Sequence, residues 1–140
     1  MSQVPGGNDG HLKRDRMIHD HEVIRMIITD LRNQLNAGIP IGLCFANRRW
    51  ALTKELLRHF AEERAFLQRF GIREPYKGAA PGTTSALELE ELYRDHIGRW
   101  TPREIDSRWR DYCRELRGIL RMVERRMVYE ETAIYPKIAK

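Results

Sequence analysis

The stretch RDRMIHDHEVIRMIITDLRNQLN, residues 14–36, repeats apolar residues and one histidine at alternating intervals of four and three. The repeating positions are Met17, His21, Ile24, Ile28, Leu31 and Leu35. This spacing places them on one side of an α-helix and is typical of a seam packed against other helices. It predicts a long helix, from about residue 14 to 36, that buries one stripe and carries a histidine within it.

The same periodicity predicts three further helices. Helix two spans about residues 47–70 and ends at Gly71, and helix three opens at the capping sequence Ser85-Ala-Leu-Glu88. Helix four opens at Thr101-Pro102 and runs without a break to about Tyr135.

Each of these three helices has its own seam of inward positions. The seams are Leu52, Leu56, His59, Glu63, Phe66 and Phe70 on helix two; Leu89, Leu92 and His96 on helix three; and Ile105, Trp109, Tyr112, Leu116, Ile119, Val123, Arg126 and Glu130 on helix four. No strand pattern competes, so we predict an all-α fold, an antiparallel up-and-down four-helix bundle.

Length and composition exclude several classes of protein. The chain has 140 residues, which suits one domain, and we expect a bundle over residues 14–140 after a flexible leader over residues 1–13. No apolar run approaches the roughly 20 residues of a membrane span, and no signal-peptide pattern is present. Two cysteines, Cys44 and Cys113, form no paired motif and are expected to be reduced. These features predict a cytoplasmic protein that does not bind membranes.

The positive charge does not indicate a nucleic-acid partner. The formal net charge is +5, but arginines alternate with acidic residues along the predicted helices, as in Arg94-Asp95 and Arg114-Glu115. Such mixing is typical of a solvated helix surface. Since no nucleic-acid recognition module is present, we expect no nucleic-acid binding. The sequence leaves the oligomeric state open.

Titratable residues interrupt the apolar seams on all four helices. They are His21, His59, Glu63, His96, Arg126 and Glu130. A buried imidazole or carboxylate needs a partner, and a metal ion shared by histidines and carboxylates on facing helices is one candidate. Each histidine taken alone is more often a satisfied core residue than a metal ligand, but three of them fall on three separate seams. A register error of one residue would exchange the acidic seam residues for their neighbours Glu62 and Glu131.

Four short motifs together resemble the hemerythrin-like, or HHE cation-binding, domain family. They are DHEVIR at 20–25, HFAEE at 59–63, RDHI at 94–97 and EETAIYP at 130–136, and the resemblance covers about residues 17–140. It implies a four-helix bundle with a non-haem iron centre, usually of two ions, that binds O2 or serves in redox, nitric-oxide or iron sensing and handling. The ligands it implies are His21, His59, Glu63 as a bridging carboxylate, His96 and Glu130.

Arg126 departs from that family pattern. It stands where the family has a histidine, and a guanidinium neither coordinates iron nor tolerates a nearby cation. Helix three also supplies one histidine where the oxygen carriers have two. Three outcomes follow: two metal ions with a poorer ligand set, one ion, or none, with Arg126 paired to Glu63 and Glu130.

The sequence leaves three functions open. The first is a metal-binding protein, with iron as the metal and O2 or nitric oxide as its small ligand. The second is a metal-free bundle that regulates a protein partner. The third is an oxidase or peroxidase, for which no motif names a substrate, so the sequence favours a binding protein over an enzyme.

Overall fold

A computed structural model of the chain describes residues 8–37, 42–74 and 84–138. Side chains are described from residue 12 in the first range and from residue 45 in the second. It contains five α-helices, followed by one π-helical and one 3-10 turn. They are α1 (Asn8–Asn36), α2 (Gly42–Arg69), α3 (Ala86–Arg99), α4 (Pro102–Ser107), α5 (Trp109–Tyr129), the π-turn (Glu130–Ile134) and the 3-10 turn (Tyr135–Lys137). No strand occurs in the described ranges, so the all-α prediction is confirmed there.

Several predicted helix boundaries are confirmed by capping contacts. The Ser85 hydroxyl accepts a hydrogen bond from the Glu88 backbone N–H at 3.1 Å, and the Thr101 hydroxyl accepts one from Glu104 at 3.3 Å. Gly71 follows α2 with φ +68°, a left-handed conformation that favours glycine at a helix end. Helix α1 begins at Asn8, so part of the predicted leader is helical, and residues 1–7 lie outside the described residues.

The predicted fourth helix is not continuous, which corrects the expectation of one helix from residue 102 to 135. Arg108 leaves the helical region with φ −134° and ψ 47° and separates α4 from α5. The Ser107 hydroxyl donates to the Glu104 carbonyl at 3.3 Å, a side-chain bond that competes with the helical pattern. The capping signal at Thr101 thus starts a helix of six residues.

The four longer helices contact one another in a closed order: α1 packs on α2 and α5, and α3 packs on the same two helices. Seam positions predicted from sequence are buried on α1, α2 and α5, except Phe70 and Trp109, which are only partly buried. On α3 the predicted Leu92 is exposed, and its neighbour Tyr93 is buried instead. The π-turn carries Ile134 into the core beyond the end of α5. None of the helices in the described ranges combines the length and apolar character needed to cross a bilayer.

The apolar core has two parts. The larger cluster contains Ile24, Leu56 and Val123 among others, and the smaller contains Met17, Phe66 and Ile134 among others. Where these two clusters meet along α1, α2 and the end of α5, buried polar residues occur among the apolar ones, and they include His21, Glu63 and Glu130. The core is therefore interrupted by a polar layer near the C-terminal end of α5.

Candidate metal centre

Five of the six titratable seam residues form this polar layer. They are His21, His59, Glu63, Arg126 and Glu130, each with 4% exposure or less. The register ambiguity is resolved, since the acidic side chains of Glu62 and Glu131 are 33% and 25% exposed. The prediction that these five side chains point inward is confirmed.

Three donor atoms in the layer converge on one point. His21 Nε2 lies 2.8 Å from Glu130 Oε1 and 3.1 Å from His59 Nε2, and His59 Nε2 lies 3.5 Å from Glu130 Oε1. Adjacent ligands of an ion bound at about 2.0–2.2 Å are about 2.8–3.1 Å apart in octahedral geometry and about 3.3–3.6 Å apart in tetrahedral geometry. The spacing of His21, His59 and Glu130 therefore fits one metal ion, with side chains from α1, α2 and the π-turn.

The π-turn brings two adjacent carboxylates to opposite sides of one imidazole. Glu130 contacts His21 Nε2, while Glu131 Oε2 accepts a hydrogen bond from His21 Nδ1 at 2.7 Å. Arg25 in turn donates two hydrogen bonds to Glu131, at 2.9 and 2.8 Å. A carboxylate on the outer nitrogen is the usual support of a metal-ligating histidine, because it orients the ring and directs Nε2 inward.

His59 has a weaker outer contact. Its Nδ1 is buried without a hydrogen-bond partner among the described residues, and Asp20 Oδ2 is 3.7 Å away. Burial alone would lower the pKa of His59, but the carboxylates of Asp20, Glu130 and Glu63 offset this and raise the pKa to about 11. In the absence of a metal ion the imidazole of His59 is therefore protonated at neutral pH.

Arg126 fills the space beside the three converging atoms. Its guanidinium donates to Glu130 Oε2 at 2.7 Å, to Glu63 Oε1 at 2.5 Å and to Glu74 Oε2 at 2.5 Å. The void that remains among these side chains is about 10 Å³, about the size that one water molecule needs. Arg126 thus pairs with both Glu63 and Glu130, the arrangement predicted from sequence for the outcome without a metal ion.

The two inner carboxylates differ in their surroundings. Burial and the neighbouring charge of Glu130 raise the pKa of Glu63 to about 8. Burial opposes ionisation of Glu130 as well, but contacts with Glu63, His21 and His59 and the charge of Arg126 hold its pKa well below the usual range. Glu130 is therefore the more readily ionised of the two carboxylates, and the ionised form is the one that binds a cation.

His96 does not join this layer, contrary to the five-residue ligand set predicted from sequence. Its Nδ1 donates to Glu115 Oε2 at 2.6 Å, and its ring stacks on Tyr112 with centroids 5.6 Å apart. On α3 it is Leu89 that faces His59 and Arg126. His96 lies two helical turns further along α3, about 10 Å from that position along the axis.

Tyr135 belongs to the layer and was missed in the sequence. Its hydroxyl donates to Glu130 Oε1 at 3.1 Å and lies 3.2 Å from His21 Nε2. Its position five residues after Glu130 matches a π-helical turn and not the α-helical spacing used to draw the seams. The supporting acids Asp20 and Glu74 were also missed as contacts, because Asp20 lies next to a seam and Glu74 lies in a predicted loop. Glu131 was considered only as an alternative to the seam acid Glu130.

Comparison with protein-family models, with curated proteins and with solved structures finds no match for this chain. The hemerythrin-like resemblance therefore stays a prediction from short motifs.

Proposed function

We propose that the protein binds a single non-haem iron ion through His21, His59 and Glu130, in a hemerythrin-like antiparallel four-helix bundle. The observation that carries the proposal is the mutual spacing of the three donor atoms, 2.8, 3.1 and 3.5 Å. Two histidines and one carboxylate on one side of an ion form the ligand set of non-haem Fe(II) sites with open positions. Such an ion supplies open coordination positions and a redox couple, the chemistry needed to sense or handle O2, nitric oxide or cellular iron.

The contact between His21 and Glu130 supports a cation at this point. The Nδ1–H of His21 donates to Glu131, so a neutral imidazole presents a lone pair on Nε2. That lone pair would face a carboxylate oxygen at 2.8 Å, which is repulsive unless a proton or a metal ion lies between the two atoms. Tyr135 closes the site from the side of the smaller apolar cluster and holds Glu130 Oε1 in place.

Arg126 supports a stoichiometry of one. Its charge takes the place of a second cation between Glu63 and Glu130, and Glu74 provides a further anion. A guanidinium satisfies two carboxylates in fixed geometry, which keeps Glu130 Oε1 oriented towards the histidines.

The experiment is a count of iron by mass spectrometry after anaerobic loading with Fe(II) and desalting. We expect close to one iron per chain in the wild type and a loss of at least about tenfold in occupancy for His59→Ala. The matched control is His19→Ala, because His19 is 72% exposed on another face of α1 and should leave the iron content unchanged. Circular dichroism establishes that each variant is folded. Close to two irons, or equal content in His59→Ala and the wild type, would contradict the proposed site.

A second candidate function is a metal-free bundle that regulates a protein partner. The charge balance favours it: Arg126 and protonated His59 already supply cations beside Glu63 and Glu130 without a metal ion. This candidate predicts no retained iron and a melting temperature that neither Fe(II) nor a chelator changes. A rise in melting temperature with Fe(II) that His59→Ala abolishes would exclude it.

A further inference from the structure

A second cavity lies apart from the polar layer, between α2, the end of α3 and the beginning of α5. Its volume is about 460 Å³, within the range of about 300–1,000 Å³ that is typical of small-molecule sites. Tyr112 lines it, and the distance along α5 from Tyr112 to Arg126 is about 21 Å at 1.5 Å per residue. The two sites are therefore separate.

The charged side chains around this cavity are all positive. Arg49 and Arg94 line it, and no aspartate or glutamate does so among the described residues. The Nε of Arg94 pairs with the carboxylate of Glu90 at 3.0 Å. Arg49, by contrast, forms no ion pair with a carboxylate in the described part of the chain, and the ion pair beside it is that of Arg48. Burial lowers the pKa of His96; the contact with Glu115 opposes this shift, and the charges of Arg99 and Arg49 add to it. An arginine in the cavity wall without a carboxylate partner favours an anionic occupant.

One buried hydroxyl in the cavity wall has no well-formed hydrogen bond. Tyr112 is fully buried, and its OH makes no hydrogen bond of good geometry within the described ranges, although the Arg49 side chain lies close enough to interact with it. The other hydroxyl in the wall, that of Thr53, is satisfied by Tyr93 at 2.7 Å. Buried hydroxyl groups are normally hydrogen-bonded, so the Tyr112 OH is a donor available to an occupant.

The remaining wall is largely aromatic. Trp50 lines the cavity although it is 64% exposed, and Trp100 lines it from the end of α3. The Tyr112 and His96 rings are stacked with 23° between their planes. Flat apolar walls of this kind pack well against a planar ring.

From these three observations we infer that the cavity is a binding site for aromatic carboxylates. The carboxylate group would bind Arg49 and accept the hydrogen bond of the Tyr112 hydroxyl, and the ring would pack between the tryptophan side chains. The site does not depend on the metal centre, so chelator-treated and iron-loaded protein should bind such a ligand equally.

The test uses 2-naphthoate as probe and neutral 2-naphthamide as its matched analogue, with binding measured by isothermal titration calorimetry on the full chain. We expect saturable binding of naphthoate with a dissociation constant below about 1 mM and binding of the amide at least about tenfold weaker. Arg49→Gln should weaken naphthoate binding at least about tenfold, and Tyr112→Phe at least about fivefold. The control is Arg121→Gln, an exposed arginine of α5 outside the cavity wall, for which we expect a change below about twofold.

Several results would overturn the inference. They are the absence of saturable naphthoate binding, equal affinity for the amide, and equal affinity in Arg49→Gln and Arg121→Gln. Tyr112→Phe removes an unpartnered group, so its melting temperature should not fall, and a loss of binding in this variant cannot be explained by unfolding. Undiminished naphthoate binding in Tyr112→Phe would also contradict the assigned donor.

Discussion

Arg126 and Glu130 lie one helical turn apart, and the arginine Nε donates a hydrogen bond of 2.7 Å to Glu130 Oε2. The other oxygen of the same carboxylate contacts His21 at 2.8 Å. Glu130 thus joins a fixed organic cation on one side to a position suited to a proton or metal ion on the other. Because Arg126 and the metal position use the same carboxylate, the charge of Arg126 affects how many metal ions the site can hold.

The buried ion pairs of Arg126 predict a large loss of stability when the arginine is removed. Arg126→Ala leaves Glu63 and Glu130 buried without their cation, and breaking a buried pair in this way costs about 3–5 kcal/mol. Urea denaturation of the metal-free protein measures the free energy of unfolding. The control is Arg125→Ala, an exposed neighbour whose effect should lie within about 0.5 kcal/mol. Equal stability of the two variants would show that the pairs do not stabilise the core.

Arg126→His tests whether the arginine limits the site to one ion. An imidazole at this position leaves Glu63 and Glu130 free to bind a second ion and restores the histidine of the hemerythrin-like pattern. We expect iron content to rise from about one towards about two ions per chain under anaerobic loading. Arg126→Gln serves as the matched variant, because it removes the charge without adding a ligand. If both variants retain the same iron as the wild type, Arg126 does not set the stoichiometry.

The raised pKa of His59 predicts a pH dependence of stability in metal-free protein. A histidine with a pKa of about 11 in the folded state and about 6.5 in the unfolded state stabilises the fold below pH 6.5. That contribution is lost as the pH rises towards 11. The free energy of unfolding should therefore fall between pH 7 and 9.5, as measured by urea denaturation in chelator. The raised pKa of Glu63, about 8, acts in the same direction.

His59→Gln is the variant that isolates the histidine contribution to this pH dependence. Its stability should fall less between pH 7 and 9.5 than that of the wild type, because only Glu63 then titrates with a raised pKa in the layer. The same slope in both proteins would mean that His59 is not protonated in the folded state. Metal affinity should show the opposite trend and rise with pH, since the ion displaces the His59 proton.

Glu131 predicts an effect on metal affinity without direct coordination. Glu131→Gln keeps the size of the side chain but weakens the hydrogen bond from His21 Nδ1 and the pairing with Arg25. Loss of such a supporting carboxylate typically lowers metal affinity by about 10–100-fold. Titration with Co(II), followed by its visible absorption, measures the affinity. Glu22→Gln, at an exposed position of α1, is the control, and equal affinity of the two variants would contradict the supporting role.

Local periodicity was sufficient to predict that the chain is helical and which sides of α1 and α2 face inward. Met17, His21 and Ile24 are buried as their spacing predicts, and so are His59 and Glu63 on α2. The reason is that the face of a helix depends only on intervals of three and four residues. The pairing of Arg126 with two inner acids was also predictable, because a buried charge requires partners of opposite sign.

The tertiary structure alone decided which inward residues meet. His96 is buried as predicted, yet it contacts Glu115 and Tyr112 and not the other histidines. Its level along the bundle depends on how α3 is aligned lengthwise with α2 and α5, and residue spacing within one helix contains no information on that alignment. Likewise, the π-turn advances Tyr135 into the layer and places Glu130 and Glu131 on two sides of His21. Such a contact depends on a change of helical pitch after Tyr129, which intervals of three and four residues do not reveal.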